Sequence, residues 1–314
     1  MQLFLSNVFT AFTQVVILFL VAMVGLVCHK TGIYTEKASR LTTDLLFYIV
    51  APAIIIRSFL GMEFNRDTLG GLVKALIGGI FFHLVGMIFT RILFNKSDKE
   101  TACIFKYACC YGNVGYMALP LAQAVLGDEG VFYGSVILVP FNILSFTHGV
   151  SLMQKRDENE KFNFKKLLIN PGVIGVAIGL PLFLLQIELP EVIYAPVSYL
   201  ADLNTPLAMV MFGTYLAAAD WKTIFSDKRI FVSALAKIIL VPLITVVSLK
   251  LMGFGGTLLV ACVLSAAAPT ASNTVMFAAK YGRDTGLASK VTSFISVLSI
   301  LTMPVMIAIA QSLQ

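Results

Sequence analysis

The chain has 314 residues, 58% of them hydrophobic and only 13% charged, with a mean hydropathy of +0.88. Soluble domains carry roughly 25% charged residues, so this composition excludes a soluble globular protein and describes an integral membrane one. The formal net charge of +6 invites a nucleic-acid reading, but the basic residues gather at the ends of apolar runs, where they set topology.

A hydrocarbon core of ~30 Å takes about 20 apolar residues per helix. Ten such runs follow one another, at 7–28, 41–60, 69–94, 102–126, 131–153, 169–187, 195–217, 230–252, 257–279 and 287–310. Residues 1–11 hold no Lys or Arg, and no A-x-A-like site closes the first run. That run is therefore expected to stay as a helix rather than leave as a signal peptide. Small residues at membrane depth supply the packing between helices. The five cysteines, Cys28, Cys103, Cys109, Cys110 and Cys262, have no metal-ligand spacing and read as buried small side chains.

Connections are short and marked by charge or turn residues. The longest hydrophilic one, Gln154 to Lys166, falls near the midpoint and reads as a solvated cytoplasmic linker. It divides a first five-helix repeat, 1–153, from a second, 169–314, with 154–168 between them. Nineteen of the 23 Lys and Arg residues, Lys237 among them, fall at one set of alternate span ends; only Arg57, Arg66, Lys74 and Lys250 fall at the other. The positive-inside rule then makes the crowded side cytoplasmic and puts both termini outside.

The halves look like copies. Gly25 corresponds to Gly179 and Pro52 to Pro206, both at an offset of 154, and the Gly127-Asp128-Glu129-Gly130 turn corresponds to the one beginning at Gly282, at an offset of 155. An odd number of spans per copy inverts the second copy in the membrane. The fold class expected is thus all-α, with ten transmembrane helices as an inverted 5+5 repeat.

Two runs are interrupted. Gly112, Asn113, Gly115 and Pro120 break the fourth; Pro269, Thr270, Ser272 and Asn273 break the ninth. Pro removes a backbone donor and Gly permits unusual dihedrals. Lipid cannot satisfy the freed groups, so such breaks persist only inside protein or beside a water-filled cavity. Paired breaks in matching places of two halves point to a transporter's substrate site. Asn113 and Asn273 lead as substrate ligands, because a neutral amide can donate to a carboxylate without bringing a permanent charge into the membrane. The half-helix N-termini beyond each break add partial positive charge and favour an organic anion. The other role open to each Asn is to cap its own break. Asn204, in the Asn204-Thr205-Pro206 kink, is a further lining candidate. Asp202 and His83 are candidates for coupling, one as a proton or cation carrier and the other as a proton relay; the other reading of Asp202 is a carboxylate solvated near the outer interface, and that of His83 a packed, hydrogen-bonded residue. No nucleotide loop, zinc spacing or nucleophile elbow is present, so neither an enzyme nor a cofactor or metal is expected.

These residues resemble the auxin efflux carrier family. The resemblance rests on Gly112-Asn113-x-Gly115-x-x-x-Leu119-Pro120-Leu121, Gly127-Asp128-Glu129-Gly130, Asn170-Pro171, and Ala268-Pro269-x-Ala271-x-Asn273 followed by Lys280-Tyr281-Gly282, and it runs over essentially the whole chain. It implies a secondary carrier with a scaffold and a transport domain. Broken helices 4 and 9 would cross around the substrate, with Asn113 and Pro120 in the first crossover and Asn273 in the second. It further implies organic anions as cargo, auxin in plant members and malate- or malonate-like acids in bacterial ones. The long cytoplasmic loop of many plant members is absent and the compact chain looks bacterial. The expectation is a plasma-membrane carrier of small organic anions, embedded in lipid, with no nucleic-acid partner and with homodimerisation left open. Sodium- or proton-coupled symport of bile-acid-type substrates, and a sensor or channel using the same pocket, are the alternatives.

Overall fold

The computed structural model describes residues 2–95, 97–154, 170–218 and 227–313. Among them the chain is helical, and its only β-type pairing is an isolated antiparallel bridge. In order the helices are α1 (Gln2–Lys30), α2 (Glu36–Leu45), α3 (Ala51–Leu60), α4 (Arg66–Phe94), α5 (Lys99–Cys110), α6 (Leu119–Leu144), α7 (Val150–Met153), α8 (Pro171–Leu184), α9 (Glu191–Asp202), α10 (Asn204–Ala218), α11 (Lys228–Leu235), α12 (Val241–Leu251), α13 (Gly256–Ala267), α14 (Asn273–Lys280) and α15 (Thr285–Ser312). Single π-helical turns join α2 to α3, lead into α6, and join α6 to α7 and α11 to α12.

Five helical runs are long and apolar enough to cross a membrane: Lys37–Leu60, Arg66–Phe94, Val114–Met153, Lys228–Leu251 and Thr285–Ser312, the third of them broken at the non-helical Gly127 (φ 67°, ψ −156°). Val16–Lys30, Pro171–Leu184 and Gly256–Ala267 are shorter apolar helices. The expected spans at 69–94, 230–252 and 287–310 thus lie within a few residues of observed ones. The midpoint linker expected at 154–168 lies, beyond its first residue, outside the described residues.

Local chemistry explains where helices begin. Asn65 accepts from the N–H groups of Asp67 and Thr68 while Thr68 returns a bond to Asn65, a reciprocal cap that starts α4. Asn170 caps Gly172, with Pro171 at the first helical position where its missing N–H costs nothing. The same Asn170 exchanges amide bonds with buried Asn142 at 3.1 and 3.4 Å, seating α8 on α6.

Packing relies on missing side chains. A Cβ on Gly25 would stand 1.9 Å from the Val210 carbonyl oxygen, and one on Gly213 would stand 1.8 Å from that of Ala22. The α1 and α10 backbones therefore touch, as small residues allow in membranes. Gly175 and Gly179 of α8 meet Pro52, Ile55 and Phe59 of α3 in the same manner. At the centre lies α13, in which every residue from Leu258 to Ala267 is buried; a helix apolar all round belongs inside. Cys103, Cys109, Cys110 and Cys262 are buried as expected, whereas Cys28 is half-buried, near the end of α1.

Ion pairs mark the two ends. Arg57, itself buried, reaches Asp202 at 2.5 Å and Asp128 at 3.4 Å. At the other end Arg283 pairs with Glu100 at 2.6 Å and donates to the carbonyls of Met153 and Gln154.

Candidate functional site

The site grows from two places where helix stops. After Cys110 the backbone extends through Tyr111 (φ −109°, ψ 107°) and turns at Asn113 (φ −79°, ψ 65°). It becomes helical again in the π-turn Val114–Ala118. The Asn113 side-chain oxygen accepts from the Tyr116 N–H at 3.2 Å, capping that turn. After Ala267 the chain again runs non-helically through Ala268 (φ −55°, ψ 137°) until α14 begins at Asn273.

The two stretches lie antiparallel and satisfy each other. The Asn113 N–H donates to the Pro269 carbonyl at 2.6 Å and the Ala271 N–H to the Tyr111 carbonyl at 2.9 Å, making the bridge between Gly112 and Thr270. Side chains then close the freed helix ends. The Thr270 hydroxyl donates to the Ala108 carbonyl of α5 at 3.0 Å, and the Lys237 ammonium donates to the Ala266 carbonyl of α13 at 2.9 Å. Backbone groups stranded at membrane depth must find partners within protein, and here each interruption supplies them to the other. The positive N-terminal ends of the π-turn and of α14 both face this crossing.

Most residues expected at the site converge here. Gly112, Pro269 and Thr270 are buried in the crossing, while Asn113, Ser272 and Asn273 are half-buried around it. Asn273 stands beside the Tyr107 hydroxyl, which also faces Ser145. Gly115 packs toward Leu138, and Pro120 opens α6, where its ring fits the first turn. The Thr205 hydroxyl donates to the Pro120 carbonyl at 3.5 Å, bringing the start of α10 alongside. Asn204 is buried there, and its amide nitrogen meets no acceptor among the described residues.

The two coupling candidates stand elsewhere. Asp202 is exposed at the end of α9 and held by Arg57. His83 is buried one layer behind the crossing, its Nδ1 on the Gly79 carbonyl at 2.6 Å and its ring 5.7 Å from that of Tyr111. Its Nε2 has no partner among the described residues.

Lys237 corrects the sequence reading. Counted among the cytoplasmic charges, it is instead wholly buried within the Lys228–Leu251 span, with its tip at the crossing. The signal was present: an ionisable residue seven positions inside an apolar run is a site candidate by default. Its contribution to the charge count hid it.

A narrow apolar cavity of about 40 Å³ reaches the π-turn at Met117, lined also by Leu18, Leu121, Phe212 and Met303. Sharing Phe19 and Ile300 with it, a second cavity of about 250 Å³ continues between α1, α10 and α15 to Lys30. Among the described residues no three His, Cys, Asp or Glu side chains are grouped to hold a metal ion.

The family model described as "Membrane transport protein" matches residues 10–166 and 160–307. A protein of Rhizobium meliloti named "Putative malonate transporter" is 24% identical over 266 residues, covering 82% of each chain. An uncharacterized transporter of Methanocaldococcus jannaschii is 23% identical over 255 residues, covering 75% of this chain and 80% of its own.

Proposed function

Because the chain belongs to the membrane transport protein family, the family of the auxin efflux carriers, we propose that it is a secondary carrier of small organic anions working by alternating access, with the substrate at the crossing. Family and relatives make it a transporter and not an enzyme. The observation that carries the proposal is the mutual pairing of the two interruptions through Asn113, Pro269, Tyr111 and Ala271. It leaves two helix N-termini and two half-buried amides, Asn113 and Asn273, around one point. Those groups donate and carry partial positive charge, which suits a carboxylate.

In this reading the spans number ten and form an inverted 5+5 repeat, with helices 4 and 9 broken. The glycine contacts support it, since α1 rests on α10 while α8 rests on α3, the exchange that a two-fold repeat produces. The turn glycines Gly127 and Gly282 also share a positive φ, 67° and 60°. The carrier sits in the plasma membrane with both termini outside. The cavity leading to Lys30 is then the cytoplasmic approach, and the Arg57–Asp128 contact closes the outer one. Malonate is the first acid to test, given the name of the relative that is 24% identical.

Counterflow of labelled malonate, malate, lactate and indole acetate in proteoliposomes tests the assignment. Saturable exchange of one acid is expected, reduced at least about tenfold by Asn113→Ala or Asn273→Ala, the loss of roughly 1.4 kcal/mol of binding. Wild-type exchange in both variants overturns the assignment of the site.

A further inference from the structure

The crossing holds one charged side chain that organic-anion carriage by amides and helix ends leaves unexplained. Lys237 is fully buried, and even after relaxation a buried ion forgoes much of its hydration. Among the described residues no carboxylate pairs with it; the ion pairs there are those of Arg57, Arg229 and Arg283. Its acceptor is the Ala266 carbonyl at 2.9 Å. This oxygen belongs to the last turn of α13, where carbonyls lack intrahelical partners and the helix dipole is negative. The same ammonium presses on the other interruption. A Cβ on Gly112 would lie 2.9 Å from the Lys237 Nζ and 3.0 Å from the Ala268 carbonyl oxygen. Among the described residues, the titratable groups close enough to feel its charge are Cys109 and Cys110 of α5 and His83 of α4. None is an acid residue that would pair with an ammonium.

Unwound carbonyls and half-helix C-termini are where carriers coordinate a coupling sodium ion. Here that end of α13 is already taken by a covalently attached cation. The same charge is backed against Gly112, the residue before Asn113. We propose that Lys237 is the resident counter-cation of the crossing: it occupies the carbonyl end where a metal ion would sit and makes the site attractive to an anion without one. This rests on reading the crossing as an anion site. Lys237 acts through the Gly112–Asn113 backbone, as a positioning residue that never touches the substrate. Selectivity follows, because a positive charge there favours a carboxylate over its uncharged amide analogue, whereas a purely packing role would treat both alike.

The experiment uses the purified full chain, with melting temperature as readout because a ligand that binds the native state raises it by mass action. Malonate and its neutral diamide are the probes, each in sodium and in choline chloride at equal ionic strength. The wild type is expected to respond to malonate equally in both salts. In Lys237→Met, close in volume and uncharged, malonate affinity falls at least about tenfold while the diamide response is unchanged. Malonate binding that requires sodium in the wild type, or undiminished malonate binding in Lys237→Met, overturns the proposal. A second arm needs no substrate. Lys237→Ala removes the equivalent of n-propylammonium, so that cation or sodium raises the melting temperature of the variant and not of the wild type. Absence of any such cation effect in Lys237→Ala overturns the counter-cation role. A cation effect there, with no acid bound by the wild type, upholds it and moves the fault to the organic-anion reading.

Discussion

The N–H of Asn113 meets the carbonyl of Pro269 at 2.6 Å, across 156 positions of sequence. Beside it, Gly112 has little room for a side chain: a Cβ there would lie 3.0 Å from the Ala268 carbonyl oxygen and 2.9 Å from the flexible tip of Lys237. Gly112→Ala forces a backbone carbonyl to move, and overpacking of this kind costs about 1–3 kcal/mol. The variant should melt lower and lose exchange activity in proteoliposomes. Unchanged melting and unchanged exchange would show that the interruptions do not pack this closely.

Close approach of α1 and α10 makes a sharper prediction. A Cβ on Gly25 would lie 1.9 Å from the Val210 carbonyl oxygen, whereas one on Gly70 of α4 would meet nothing within 4 Å. Gly25→Ala should separate the two helices and leave little folded protein after detergent extraction, measured by size-exclusion chromatography. Gly70→Ala should fold as well as the wild type and gain up to about 1 kcal/mol from helix propensity. Equal yields would contradict the contact.

Arg57 is 9% exposed at its side chain, against 45% for Asp128 and 65% for Asp202. Solvent therefore screens both carboxylates, and neither pair approaches the value of a buried one. Asp202→Asn, at the shorter bond, should cost about 1 kcal/mol, and Asp128→Asn no more than about half of that. If the Asp128 contact closes the outer approach, Asp128→Asn should also speed labelling of a cysteine placed at Thr205 by a membrane-impermeant thiol reagent. Unaltered labelling would remove that contact from the closure.

The start of α11 is sensitive to acid. Arg229 bonds Asp227 and holds its carboxyl below the usual carboxylate range, and the same carboxylate caps the helix. Because the folded value is the lower one, the stabilisation is complete above the unfolded pKa of about 3.9 and fades as pH falls through the folded value. Asp227 is half-buried and Arg229 is 36% exposed, so solvent screens the pair and Asp227→Asn should cost no more than about 1 kcal/mol at pH 7. Melting measured from pH 7 to pH 3 should bring variant and wild type together at the acid end; a constant gap would remove the charge from the account.

Sequence alone determined the membrane class and, through local chemistry, several helix starts. Each rests on a local property: hydropathy over a span, the missing N–H of Pro, the short side chains of Asn65 and Asn170. Only the tertiary structure decided that Tyr111–Asn113 and Pro269–Ala271 pair with one another, because the bonded groups are 156 and 160 residues apart and no local rule selects a partner at that range. It also decided which polar residues face inward. In a water-soluble helix one apolar stripe reveals the buried face, but lipid is as apolar as the core and that contrast is erased. So of the two readings open for Asp202 it is the exposed one, beside Arg57, that the structure shows, and Lys237, read as a topology charge, lies buried at the crossing.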